Sequence, residues 1–355
     1  MTSTESNLWE APGDKPESEE QRAGVPEVRA LVTGGTGFIG ANLVAGLAEE
    51  GITTRVLHRE SSSLEALVGL TYEPVIGDVL GEVDALAAAM EGCRWVFHVA
   101  AVADYWRQST DHLYRVNVEG TRRVLDAARQ AGVERFVFTS SAAAMGLPRP
   151  GECVDEGDTF NLPPSRFPYG HSKMLAEREV QRAVAEGLEA VIVNPTVVLG
   201  PRDVNQISGS IVVEAARGLV RFVPPGGVNY IAVSDVVAGH IAAARRGRVG
   251  ERYILGAHNL SHAEAIPIIC RVVGRRPPRL KIPGWVLPPA AVAVRMSRSL
   301  FGRPRVVDES QIRLLGADIY ADAGKARREL DLPQTPFSDA VQAAYNWYNK
   351  HGYLG

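Results

Sequence analysis

The chain has 355 residues, 45% hydrophobic and 22% charged, enough for one large domain with an appendage or two modest ones and too much for a mini-protein. A net charge of -3, with 33 Arg and 5 Lys in no single block, excludes the basic field that gathers nucleic-acid phosphates. Cys93, Cys153 and Cys270 are odd in number and far apart, which argues against a disulfide framework or zinc site and for a reducing, cytoplasmic compartment.

Residues 1–27 carry seven acidic side chains against Lys15 and Arg22, among Pro, Ser and Gly, and read as a disordered acidic tail. No apolar run is long enough to span a membrane, and the start lacks the apolar core of a secretory signal. Val28 to Thr33 is then a buried-looking strand that runs into the glycine cluster GGTGFIG and a helical pattern from Ala41 to Glu50. Further strands are expected at Thr54–Leu57, Tyr72–Ile76, Trp95–Val99, Phe136–Phe138 and Val191–Val193, each followed by a small or polar residue. Amphipathic stretches such as Val118 to Ala131 and His171 to Ala185 lie between them. Alternating strands and helices predict an α/β fold with a parallel sheet covered on both faces. From about Gly200, frequent Pro and Gly and short helical stretches predict a smaller region over the sheet's carboxyl edge, where crevices in open α/β sheets form.

Gly35, Gly37 and Gly40 fit G-x-G-x-x-G between strand and helix, and Gly34 adds a second glycine spacing. A pyrophosphate can rest on a helix's first turn only where no Cβ holds the backbone away. Alone, the pattern is matched by any packing turn. An acid for a ribose 2'-hydroxyl is expected some twenty residues on, but the second strand ends at His58-Arg59. A guanidinium there suits a 2'-phosphate and favours NADP over NAD, unless Arg59 is a solvated loop residue. Asp78 either accepts hydrogen bonds from an adenine amino group or caps its turn.

Tyr169 and Lys173 lie one turn apart at a helix start, on one face. A phenol titrates near ~10, and a neighbouring ammonium lowers that value and makes it a usable acid and base. Ser141, or its neighbour Ser140, can steady a carbonyl oxygen as it gains charge, and the amide of Asn117 can hold a water that relays the proton. Each hydroxyl alone is ordinary turn chemistry.

Taken in order, TGGTGFIG, HVAA, NVEGT, FTSSA and YGHSK resemble the extended short-chain dehydrogenase/reductase superfamily over about residues 28–350. The resemblance implies a Rossmann domain over 28–200, with 230–250 returning to it, and a substrate-binding region over 201–229 and 251–355. It implies a catalytic Ser141, Tyr169 and Lys173 supported by Asn117. It also implies a dinucleotide against Gly34, Gly37, Phe38, Ile39 and Gly40, then Arg59, Asp78 and Val79, then Ala100, Ala101, Tyr169 and Lys173. Nucleotide-sugar epimerases and dehydratases of this superfamily usually carry Asn where Val197 stands. The run VNPTVVLGP instead resembles the dihydroflavonol reductase and hydroxysteroid dehydrogenase branch, where Pro195 and Val197 line the nicotinamide. The closing patterns from Asp322 to Leu330 and from Trp347 to Leu354 also resemble hopanoid-associated sugar epimerases.

The expectation is therefore an NADP(H)-dependent oxidoreductase of a small, largely apolar ketone, aldehyde or alcohol, with NAD as the other possible cofactor and no metal. The alternatives are a nucleotide-sugar epimerase or dehydratase with retained NAD, or a silent dinucleotide sensor. A homodimer is one expectation, since four-helix dimers are common in the superfamily. Tyr105 and Trp106 either stack on substrate or cover the sheet edge. Trp285 to Val294, beside several Arg, reads as a core helix or pocket wall in preference to a membrane contact. His98 and His171 receive no chemistry.

Overall fold

The computed structural model describes residues 29–301 and 309–354, so the acidic stretch 1–27 lies outside it. Seven parallel strands make the central sheet: β1 (Arg29–Thr33), β2 (Thr53–His58), β3 (Glu73–Ile76), β4 (Trp95–His98), β5 (Arg135–Thr139), β6 (Ala190–Pro195) and, after three strands outside it, β10 (Arg252–Leu255). Their order is β10-β6-β5-β4-β1-β2-β3, so the winding reverses between β1 and β4. A crevice opens at the carboxyl end of such a switch point.

Side chains alternate across these strands, and each set meets helices. Ala30 and Val32 join Val137 and Val191 under helices α1 (Phe38–Glu49) and α7 (Val233–Arg246). Leu31, Val96, Phe136 and Ile192 face the other side, under α2 (Val83–Met90), α4 (Thr121–Gln130) and α5 (Pro168–Ala185). Near-continuous apolar runs in the inner strands follow from burial on both faces, whereas the edge strand β3 alternates, with Ile76 exposed. Each fully buried Val, Leu or Ile contributes roughly 1.5–3 kcal/mol.

The smaller region pairs β7 (Val197–Leu199), β9 (Gly227–Ala232), β11 (His258–Ser261) and β13 (Asp318–Ile319) into a second sheet, and β8 (Phe222–Val223) with β12 (Leu280–Lys281) into a ribbon. Helices α6 (Ser210–Ala216) and α8 (His262–Val272), with the helix Phe337–Lys350, share its core. Two expectations change. The strand β10 pairs in parallel with β6, although the sequence assigns 251 onward to the smaller region. Helices past Gly200 are not all short, since α7 and Phe337–Lys350 have 14 residues each. Among the described residues, no helix is long and apolar enough to cross a membrane, and no cluster of His, Cys, Asp or Glu could hold a metal.

Candidate active site

A crevice of about 750 Å³ lies at the carboxyl edge of the central sheet. Its floor is the turn from β1 into α1. Gly34 takes φ +69°, in the left-handed region that favours glycine, and a Cβ there would lie 2.5 Å from the Ala100 nitrogen. On Gly40, a Cβ would lie 2.2 Å from the Gly34 carbonyl oxygen. These two glycines let the turn, α1 and the chain after β4 touch. Gly37 caps α1 without a side-chain hydrogen bond, leaving its first turn open to an anion, and Gly37, Phe38 and Ile39 line the crevice there. Gly35 does not line it, because its Cβ position faces Val56 at 2.7 Å.

At one end, Arg59 follows β2 and is exposed, with Asp78 and Val79 opposite, after β3. The Leu80 N–H donates to Asp78 Oδ1 at 2.9 Å, so this carboxylate does cap its turn. Ala100 and Ala101 form the middle, while Pro195 and Val197, from the junction of β6 and β7, line the far end.

At that far end, Pro168 starts α5, whose first two turns bring Tyr169 and Lys173 to the crevice beside Ser141, just beyond β5. Tyr169 and Ser141 line the crevice together, and the Ser141 Oγ accepts from the Ala143 N–H at 3.2 Å. Burial pushes the phenol above its usual value, and the Ser141 side chain opposes this in part. Lys173 is 1% exposed. Its Nζ donates to the Thr139 carbonyl at 2.8 Å and sits 4.9 Å from the Phe138 ring centre. Burial lowers its pKa to about 7, opposed by Glu177 one turn on. The spacing predicted a phenol lowered by its ammonium neighbour. Burial acts on Tyr169 in the opposite direction, and the amine is held by the Thr139 carbonyl. Ser140 is buried, and its Oγ has no partner among the described residues.

Asn117, like Gly35, does not line the crevice. It lies in a wide helical turn (Arg115–Gly120), 1% exposed. Its Oδ1 accepts from the Val102 N–H at 2.8 Å, and its Nδ2 donates to the Val102 carbonyl at 3.2 Å and to Ser172 Oγ at 3.0 Å. Both amide hydrogens are engaged, so the amide fastens the chain after β4.

Sequence reasoning missed Asn194 and Glu177. Asn194 Nδ2 donates to the Ser141 carbonyl at 3.1 Å and to Glu177 Oε1 at 2.6 Å, and Glu177 pairs with Arg252 at 3.2 Å. This buried chain fixes the backbone of Ser141, and the only sequence signal was a polar residue inside an apolar strand. Tyr105 also reaches the crevice: its ring stacks on that of Tyr169, with centres 5.8 Å apart and planes 15° apart, and meets Phe167 edge-on. Trp106, 9% exposed, does not line the crevice and meets the Tyr105 ring edge-on.

A dinucleotide fits these residues: a start of α1 left without a side-chain cap, among glycines that line the crevice, and a proton-bearing pair at the crevice's other end. The comparisons agree. Residues 30–256 match the model of the NAD dependent epimerase/dehydratase family.

The chain belongs to that family. It is an NAD(P)-dependent oxidoreductase of the extended short-chain dehydrogenase/reductase superfamily. It is 38% identical to a Synechocystis protein named "Putative dihydroflavonol 4-reductase", over 91% of this chain and 95% of that one. It is 33% identical to sterol demethylase protein B of Methylococcus capsulatus, over 91% and 99%. The crystal structure of gox2253 superposes with a TM-score of 0.81 at 34% identity, over 93% of this chain and all of that one. A UDP-glucose 4-epimerase from Thermotoga maritima superposes at 0.73 but at 20% identity, a likeness of fold alone. Family membership thus accords with the expected parallel sheet and glycine turn, and the reductase and dehydrogenase names match the expected branch.

Proposed function

We propose that the protein is an NADP(H)-dependent oxidoreductase that interconverts a ketone or aldehyde with an alcohol on a small, largely apolar substrate. The observation that carries this is the meeting of Tyr169, Ser141 and a buried Lys173 in the crevice that also holds the glycine turn. When bound, the cofactor supplies or accepts the hydride. The start of α1 and its glycines hold the pyrophosphate, and Arg59 forms the bidentate contact to a 2'-phosphate. Tyr169, kept protonated at neutral pH by burial, donates its proton to the substrate oxygen in the reducing direction. Ser141 donates a hydrogen bond to the same oxygen as its charge grows. Lys173, titrating near 7, holds an exchangeable proton one turn away.

Pro195, Val197, Ile207 and Leu314 line the far wall, and the Tyr105 ring covers Tyr169, which favours an apolar substrate. Relatives named for sterols and a 3-beta-hydroxysteroid support the same reading. Thermal shift with NADP and with NAD, followed by a carbonyl panel with NADPH, tests it. NADP should bind at least ~10-fold more tightly than NAD, and Arg59→Ala should remove that preference, the loss of one charge-assisted bidentate contact. NAD released on denaturing the purified protein, with no NADPH consumed by any carbonyl, would establish the epimerase or dehydratase reading instead.

A further inference from the structure

Two segments far apart in sequence meet on the outside of the smaller region. In the β8–β12 ribbon, Phe222 is the register partner of Leu280, so their side chains share a face. That face is exposed, 44% at Phe222 and 65% at Leu280, whereas Val223 turns inward at 5%. Leu219 precedes the ribbon at 55% exposure, and Trp285 follows it at 75%, beside a Gly284 that lies against Pro225. Half of the eight large apolar side chains exposed among the described residues thus fall on this ribbon and its flanks, which makes a patch and not scatter.

The charge around it is predominantly positive, with the exposed Glu214 before Leu219 as the nearby exception. Residues 215–233 hold Arg217 and Arg221, residues 271–285 hold five cations, and neither segment has an acidic residue, in a chain whose net charge is -3. Arg221, Arg276, Arg279 and Lys281 are exposed and pair with no carboxylate among the described residues. The segment after β8 leads toward the crevice: Gly226 packs against the Leu315 and Ala317 carbonyls, and Leu314 lines the crevice wall.

We propose that this face docks the protein on an anionic membrane surface. Leu219, Phe222, Leu280 and Trp285 enter the headgroup boundary, where an indole is favoured, and the cations meet acidic headgroups. Charge complementarity selects this occupant over a neutral apolar partner, which would leave the cations unmatched. Docking does not depend on the reaction proposed above. Combined with it, docking sets the crevice mouth beside the phase into which an apolar substrate partitions.

The test is co-sedimentation of the full chain with phosphatidylcholine vesicles, and with vesicles containing roughly a third phosphatidylglycerol. At least ~10-fold more protein should bind the anionic vesicles, and ~0.5 M salt should release it by screening. Leu280→Ser with Trp285→Ser, or Arg276→Glu with Arg279→Glu, should each lower binding about 10-fold with an unchanged melting temperature. Tryptophan emission should shift blue on the anionic vesicles, and Trp285→Phe should abolish the shift. Equal binding to both vesicle types, or variants that bind like the parent, would overturn the proposal. Binding only after removal of residues 1–27 would overturn it too, by assigning the patch to the chain's own acidic segment. A dimer that dissolves in Leu280→Ser with Trp285→Ser, without vesicle binding, would assign it to self-association.

Discussion

At the residue scale, the site turns on two ionisable groups that burial moves in opposite directions. Tyr169 is pushed up and Lys173 down to about 7, because a low-dielectric pocket disfavours whichever form is charged. Spacing made the pair legible, but the sign of the phenol's shift was not, since it depends on packing from β5, α5 and Tyr105 that no local pattern encodes. The Lys173 shift has a stability consequence. Its folded value lies below the unfolded one near ~10.5, so above about pH 7 the unfolded chain binds more protons and stability rises with pH. Relative to Lys173→Met, the unfolding free energy of the parent should therefore gain about 1–3 kcal/mol between pH 7 and pH 9. Denaturant unfolding at both pH values measures this, and parallel behaviour of the two proteins would mean that the amine is not held back by burial. Tyr169→Phe, by contrast, should lower turnover at least ~100-fold while leaving cofactor affinity within about 2-fold, the signature of a lost proton donor. Cofactor affinity falling in step with turnover would make Tyr169 a binding residue.

At the scale of elements, the strand, turn and helix around the glycines were legible because each is a local event: an apolar run, a backbone that only glycine permits, an amphipathic repeat. The wide turn Arg115–Gly120 was not, because what shapes it is a distant partner. Asn117 reaches across to Val102 and takes both its N–H and its carbonyl, which pins the segment that carries Tyr105 over Tyr169. β10 escaped for a similar reason, since four residues within a Gly-rich stretch become a core strand only through β6. Removing the amide tests this account of Asn117. Asn117→Ala leaves two part-buried backbone groups at Val102 without partners, a cost of about 1–3 kcal/mol in stability. The same change should lower kcat/KM about 10-fold by freeing Tyr105, with the pH profile of turnover unchanged, because no proton-carrying group is touched. A profile shifted by a unit or more would assign Asn117 the relay role instead.

At the scale of the whole molecule, the two faces of the sheet are tied to their helices by imidazoles. His98 on β4 spans from Thr33 Oγ1 at 2.7 Å to Thr121 Oγ1 at 3.0 Å, on the face of α4. His240 on α7 joins Thr139 Oγ1 at 2.9 Å to its own helix at the Val236 carbonyl, 2.7 Å away. Thr139 is also the residue whose carbonyl holds Lys173, so the bolt and the site share a strand end. A sequence with no metal-ligand spacing gave His98 nothing to do; its task is structural and needs three non-neighbouring elements to appear. Both rings are fully buried, and burial pushes His98 down to about 3 and His240 to about 4. Both folded values lie below the unfolded one near ~6.5, so as pH falls below ~6.5 the unfolded chain takes up protons that the folded chain refuses, and stability drops. Each ring should remove on the order of 2 kcal/mol between pH 6.5 and pH 4.5. His240→Gln keeps a donor and an acceptor but cannot charge. It should start about 1–2 kcal/mol less stable at pH 7 and then lose less than the parent on acidification, so that the two stability curves converge by about pH 4.5. Denaturant unfolding across that range reads both curves, and equal slopes would show that His240 charges in the folded protein and that the bolt between α7 and β5 opens before the sheet does.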